Sequence, residues 1–177
     1  MGANGTVSIT GSDSRWDNQQ RLIIGGSLWG GVVAAGGSGV VEVTEGGHLS
    51  VNDTLQLFGG GELLIDGGTV TTGSFDNVAS GLLQIDEGTL TVNGATGYFD
   101  PGTNAFLFND DGDLVDGFVL DGGFFGKTAE LVITGGASGF LPDKFVVGNV
   151  DRAVLRIEAG STVFANDSVV ADGGTST

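Results

Sequence analysis

The sequence predicts an all-β protein, a parallel β-helix with about three short strands in each turn of ~20–24 residues. Three observations carry this. One short phrase recurs as Val41-Glu42-Val43-Thr44-Glu45-Gly46, Leu63-Leu64-Ile65-Asp66-Gly67-Gly68 and Leu83-Gln84-Ile85-Asp86-Glu87-Gly88. The glycines that close it, Gly46, Gly68 and Gly88, stand 22 and 20 residues apart. After each glycine comes a second alternating run: His48-Leu49-Ser50-Val51, Thr69-Val70-Thr71-Thr72 and Thr89-Leu90-Thr91-Val92. Apolar residues at i and i+2 share one face of an extended chain. One such strand cannot bury that face alone. Stacking the copies at about 4.8 Å pairs their backbones and gathers the apolar side chains into rows.

The 177-residue chain reads as one domain. Residues 1–38 form an N-terminal turn and cap, 39–94 regular repeats, 95–128 an irregular insertion, and 129–177 further repeats. Val7-Ser8-Ile9-Thr10 is a first strand of the same type, and Leu22-Ile23-Ile24-Gly25 follows it. From Ile9 to Val43 is 34 residues, more than one turn, which predicts a bulged corner or loop within Ser27 to Gly39, with Trp29 placed to cover an open end. Corners fall at Asn52-Asp53, Asn93-Gly94 and Asn166-Asp167. The third strand is clearest at Leu55-Gln56-Leu57, and Thr72 to Val78 fills that place one turn later. Residues 95–128 break the period and hold six of the 11 phenylalanines, which predicts one irregular turn with a protruding loop or hairpin. The phrase returns at Leu131-Val132-Ile133-Thr134-Gly135-Gly136 and Leu155-Arg156-Ile157-Glu158-Ala159-Gly160. On this reading Val43, Ile65, Ile85, Ile133 and Ile157 form a single interior pile. The pattern stops in mid-turn after Ser168-Val169-Val170, so either the sequence is a piece of a longer protein or that end stacks on another molecule.

Composition narrows the function. Twenty-two acidic against 6 basic residues give a net charge of −16, which repels nucleic acid and anionic membrane. No apolar stretch of about 18 residues occurs, so no membrane insertion is expected. With no cysteine, disulfides and thiolate chemistry are excluded. Glycine, 35 residues without a G-X-Y register, supplies tight corners rather than collagen. The first residues do not form a signal peptide, so an exported protein would have its signal removed or encoded elsewhere.

Ser14-Arg15-Trp16-Asp17-Asn18, then Leu22-Ile23-Ile24-Gly25, then the recurring phrase, resembles the repeats of autotransporter passengers and PEP-CTERM-associated proteins of the bacterial surface. Phe145-Val146-Val147-Gly148 before Leu155-Arg156-Ile157-Glu158-Ala159-Gly160 repeats the likeness. The resemblance implies a right-handed β-helix, export, and an extracellular or cell-surface role, mostly without catalysis. The chain departs from it in showing neither a membrane barrel nor a sorting segment.

Candidate sites are sparse. His48, the single histidine, points outward by strand parity and has no nucleophile phrase beside it. Asp66 and Asp86 hold equivalent places in adjacent turns. Stacked carboxylates repel by roughly 1–3 kcal/mol, which a divalent cation or a shared proton relieves and which solvent also screens. Asn109, Asp110, Asp111 and Asp113 offer oxygen ligands for calcium around Gly112 without matching an EF-hand, and form an ordinary acidic turn otherwise. Thr69/Thr71 and Thr89/Thr91 make outward T-x-T pairs.

The expectation is therefore a secreted or surface-exposed, non-enzymatic structural or adhesive scaffold without a cofactor, calcium apart. Its expected partners are other copies stacked end to end into fibres, or surface polysaccharide and cells. The competing expectation is a polysaccharide lyase or hydrolase using Asp66, Asp86 and Asp121. An ice-binding module is the third.

Overall fold

A computed structural model describes residues 3–29, 32–108, 111–123, 126–149 and 151–170, without the side chains of 28, 29, 32, 33, 106 and 108. Among the described residues every regular element is a strand. Those of the first half are β1 (Asn4–Thr10), β2 (Arg15–Asn18), β3 (Leu22–Ile24), β4 (Gly26–Trp29), β5 (Val32–Ala35), β6 (Ser38–Thr44), β7 (His48–Leu57), β8 (Gly61–Asn77) and β9 (Leu82–Asn93). The second half has β10 (Tyr98–Asp100), β11 (Ala105–Phe108), β12 (Leu114–Leu120), β13 (Thr128–Thr134), β14 (Ser138–Phe140), β15 (Lys144–Val147), β16 (Arg152–Ile157), β17 (Thr162–Phe164) and β18 (Asp167–Val170).

The pairing is overwhelmingly parallel, and its register repeats the sequence period. In the first row Ile9 pairs with Val43, Val43 with Ile65 and Ile65 with Ile85. A second row runs Leu49, Val70, Leu90, Leu131, Leu155. A third runs Leu22, Leu55, Phe75, Phe99. These inward residues are buried through the middle of the molecule, because alternation puts each apolar side chain on the same face as its neighbours in adjacent strands. The corner glycines are required by backbone: Gly46, Gly67 and Gly88 have φ of 85°, 82° and 112°, where a side chain meets its own carbonyl. β8 turns its corner at Gly67 without losing its ladder, apart from register shifts around Asp66.

The expected single pile is two piles. Val43, Ile65 and Ile85 stack as predicted, but Ile133 pairs with Val92, and Ile157 with Ile133, in a row beside the second one on the same strands. The physical reason lies in the insertion. It delivers the apolar strand β12 immediately before β13, as Leu63–Ile65 stands before Val70. β13 therefore takes the second place in its level, not the first. β12 pairs with β15 and β15 with β18, Phe118 against Phe145 and Leu120 against Val147, in a separate four-stranded sheet.

Both departures from the period are antiparallel hairpins. β4 and β5 form one within the expected bulge, and β11 and β12 form one within 95–128. The side chain of Trp29, expected to cover an open end, lies outside what is described. Asn104 fastens the second hairpin: its Nδ2 donates to the Val119 carbonyl at 2.8 Å and its Oδ1 accepts from the Val119 amide at 2.7 Å. Buried Asn77 closes another corner, donating to the carbonyls of Gly81 and Pro101 at 2.8 Å and accepting from the Gly81 amide at 2.7 Å. Four rings join the two larger sheets. Phe75, Phe99, Phe118 and Phe145 form a continuous ladder with centroids 5.4, 5.9 and 5.8 Å apart.

Candidate functional site

The two ends of the parallel sheet differ, and the difference follows the rows. At the first level Ile9, Leu22 and Ile24 are buried, half-buried Trp16 packs against the core, and Val7 shows through at 38 % exposure. At the last level the rows open. Ile133 is fully buried, yet Ile157 paired to it is 48 % exposed. Val147 is buried, yet Val170 paired to it is 77 % exposed. Among the described residues β16, β17 and β18 each pair on one side only, with β13, β14 and β15, as β1, β2 and β3 do at the first level, with β6 and β7, so the ends differ in their apolar exposure and not in their free edges. Phe145, Val147, Leu155, Ile157, Val163 and Val170 line an apolar cleft of ≈ 310 Å³ at this end. Beside it Phe140 and Phe164, both exposed, stack at 5.7 Å. An edge with free backbone groups next to exposed apolar side chains is a surface that β-structure adds to. The sequence had offered an unfinished turn here, but not the Phe140–Phe164 pair, whose 24-residue spacing matches the period.

The carboxylates considered from sequence are placed as follows. Asp66 and Asp86 do not stand level, because the register shift sets Asp66 opposite Glu87. Lys127, 61 residues away in sequence, donates from Nζ to Asp66 Oδ1. That hydrogen bond, with the charges of Asp66, Glu87 and Asp86, holds the Lys127 ammonium above its usual pKa against a smaller desolvation cost. Gln84 donates to both oxygens of Asp86 at 2.8 and 3.0 Å. Asp121 accepts the Asp151 amide at 2.9 Å. A cleft of ≈ 350 Å³ is bordered by Glu87, Glu130, Thr69 and Thr89.

For the calcium expectation, Asn109 and Asp110 lie outside the described residues. Asp111 and Asp113 are exposed and each has an interaction of its own. Among the described residues no three His, Cys, Asp or Glu side chains gather as a metal site would. His48 is exposed, in an outward row with Arg15, Thr69, Thr89 and Glu130. Thr69/Thr71 and Thr89/Thr91 pair in register on that face, and Thr89 Oγ1 donates to Glu130 at 3.1 Å.

One polar cluster has no signal in the sequence. The hydroxyl of Tyr98 and the amide of Gln56 both donate to Asp76 Oδ2 at 3.0 Å. Burial pushes the Tyr98 phenol up from 10.0 to about 12, aided by its hydrogen bond to Asp76 and the charges of Asp76 and Asp100, against Arg21. The folded state thus favours the neutral phenol. That stability is complete below pH 10 and is lost as pH rises through about 12. Tyr98 is the one tyrosine, so alkaline titration followed by phenolate absorbance reads it alone. The expected midpoint is near 12 in the folded protein, and Asp76→Asn should lower it by about one pH unit. A midpoint unmoved by that substitution would show the carboxylate is not what holds the proton.

The architecture defines an all-β protein built on long parallel ladders, with an apolar, one-sided edge as its most distinctive surface. No protein-family model, curated protein or solved structure matches the chain.

Proposed function

We propose that this chain is a right-handed parallel β-helix serving as a non-enzymatic scaffold, secreted or displayed at a cell surface, and that its exposed end seats further β-structure. One observation carries the reading. Apolar rows that stay buried level after level come into water at the last level, at Ile157 and Val170. Exposed apolar residues scattered singly need no explanation, but a contiguous set beside open strand edges marks an interaction surface. The export and surface parts of the proposal rest on the resemblance of the repeat phrases and on the net charge of −16. The carboxylates support the non-catalytic part, since Asp66, Asp86 and Asp121 are each held by a neighbouring donor.

Light scattering across a concentration series tests the seating. The expected mass rises above that of one chain, and Ile157→Lys, which sets a charge in the apolar cleft, weakens association about tenfold or more. A protein that stays monomeric at every concentration, with Ile157→Lys no different, removes this reading.

A further inference from the structure

We infer that the open end is the interface of a two-fold dimer in which β16 of one copy pairs antiparallel with β16 of a second copy, tail to tail. The inference rests on the seating proposed above and names its occupant.

The asymmetry of the ends comes first. A head-to-tail contact would set the open apolar level of one copy against a level whose Ile9, Leu22 and Ile24 are already buried. A tail-to-tail contact sets two open levels against each other, so both clefts leave water together. The first arrangement is heterologous and propagates; the second is isologous and closes at two copies.

The charge pattern of the strand then selects the register. β16 with the residue after it reads Arg152-Ala153-Val154-Leu155-Arg156-Ile157-Glu158. A two-fold through Leu155 pairs Leu155 with its own copy and Ala153 with Ile157. It also sets Arg152 opposite Glu158, twice. Ala153 and Leu155 pack against the core, so the inward set of one strand meets the inward set of the other. Arg152 and Glu158 share the outward parity, both are exposed, and among the described residues neither makes an ion pair. Opposite charges directly across an antiparallel pair stabilise it. The head-to-tail alternative brings Arg156 toward Asp17, but Arg156 is already bonded to Glu130 and Asp17 to Arg15.

Analytical ultracentrifugation of the full chain tests this, with Arg152→Glu, Glu158→Arg and the double reversal. The wild type is expected to reach a plateau at two copies. Each single reversal sets like charges opposite one another at two places and is expected to weaken dimerisation roughly tenfold. The double reversal restores opposite charges and should return the affinity to within about twofold. Circular dichroism of each variant confirms that it folds. Growth past two copies without a plateau, or a double variant no better than the singles, overturns the tail-to-tail register while leaving the seating intact. A wild type that never associates, with Ile157→Lys without effect, defeats the seating and the dimer together.

Discussion

Replacing Phe99 with alanine is expected to lower the free energy of unfolding by about 3–5 kcal/mol, the range for emptying a fully buried aromatic site. Phe99 is completely buried and stands in the middle of the ring ladder, 5.4 Å from Phe75 and 5.9 Å from Phe118. Its position makes the loss larger than its area alone. Phe99 belongs to β10, which pairs with β8 and β14 in the large sheet, whereas Phe118 belongs to β12 of the four-stranded sheet. Removing the ring both opens a cavity and cuts the aromatic contact between sheets that share no ladder. A domain of this size holds about 5–15 kcal/mol in total, so roughly a fifth or more of its stability is at stake. Phe164→Ala is the control. Its ring is 56 % exposed and stacks only on Phe140, and it should cost less than about 1 kcal/mol. Urea unfolding of both variants decides the point. Equal losses would mean that the ladder does not join the sheets.

The second large effect is expected from a single methyl group. Gly25 has φ of 72° and lies where the backbone of the next level passes close by. A Cβ there would fall inside contact distance of the Gly61 amide nitrogen. That backbone cannot retreat without breaking ladder contacts: the Phe58 amide donates to the Ile24 carbonyl at 3.0 Å, and the Gly61 amide to the Phe58 carbonyl at 2.6 Å. Gly25→Ala should therefore cost about 3 kcal/mol or more, in strain and separated strands. Gly112→Ala isolates the cause. Gly112 has a similar φ of 84° with nothing near its missing Cβ, so only the left-handed backbone penalty of about 1–2 kcal/mol applies. Thermal unfolding that shifts equally in both would reduce the Gly25 effect to φ alone.

Much of this architecture was legible because the inward residues and the corner glycines repeat together. Val43, Ile65 and Ile85 could be aligned from sequence since each precedes a glycine of the same series. The alignment failed at Ile133 and Ile157 for a definite reason. The first and second strands of a level both read apolar-x-apolar followed by a corner, so the phrase cannot tell which row it belongs to once an insertion resets the count. The hairpin of β11 and β12 was foreseeable from the broken period, but its partner β15 was not. Phe145-Val146-Val147-Gly148 matches Leu22-Ile23-Ile24-Gly25 by composition, yet Leu22 pairs into the large sheet and Phe145 into the smaller one. The candidate sites were harder still. The Lys127–Asp66 bond spans 61 residues, and the Tyr98–Asp76–Gln56 cluster joins three strands with no shared motif. Both ends have strands paired on one side only, and which of them also exposes its apolar rows depends on side chains from several levels at once, which no local pattern encodes.

The 20-residue register between β8 and β9 has one more implication. In the proposed β-helix each level hands on the same ladder that it receives, so height is a count of repeats. Duplicating or deleting one repeat in the gene would change that height by a step of about 4.8 Å. Neither the first surface nor the last would be redrawn, so reach and recognition can evolve separately.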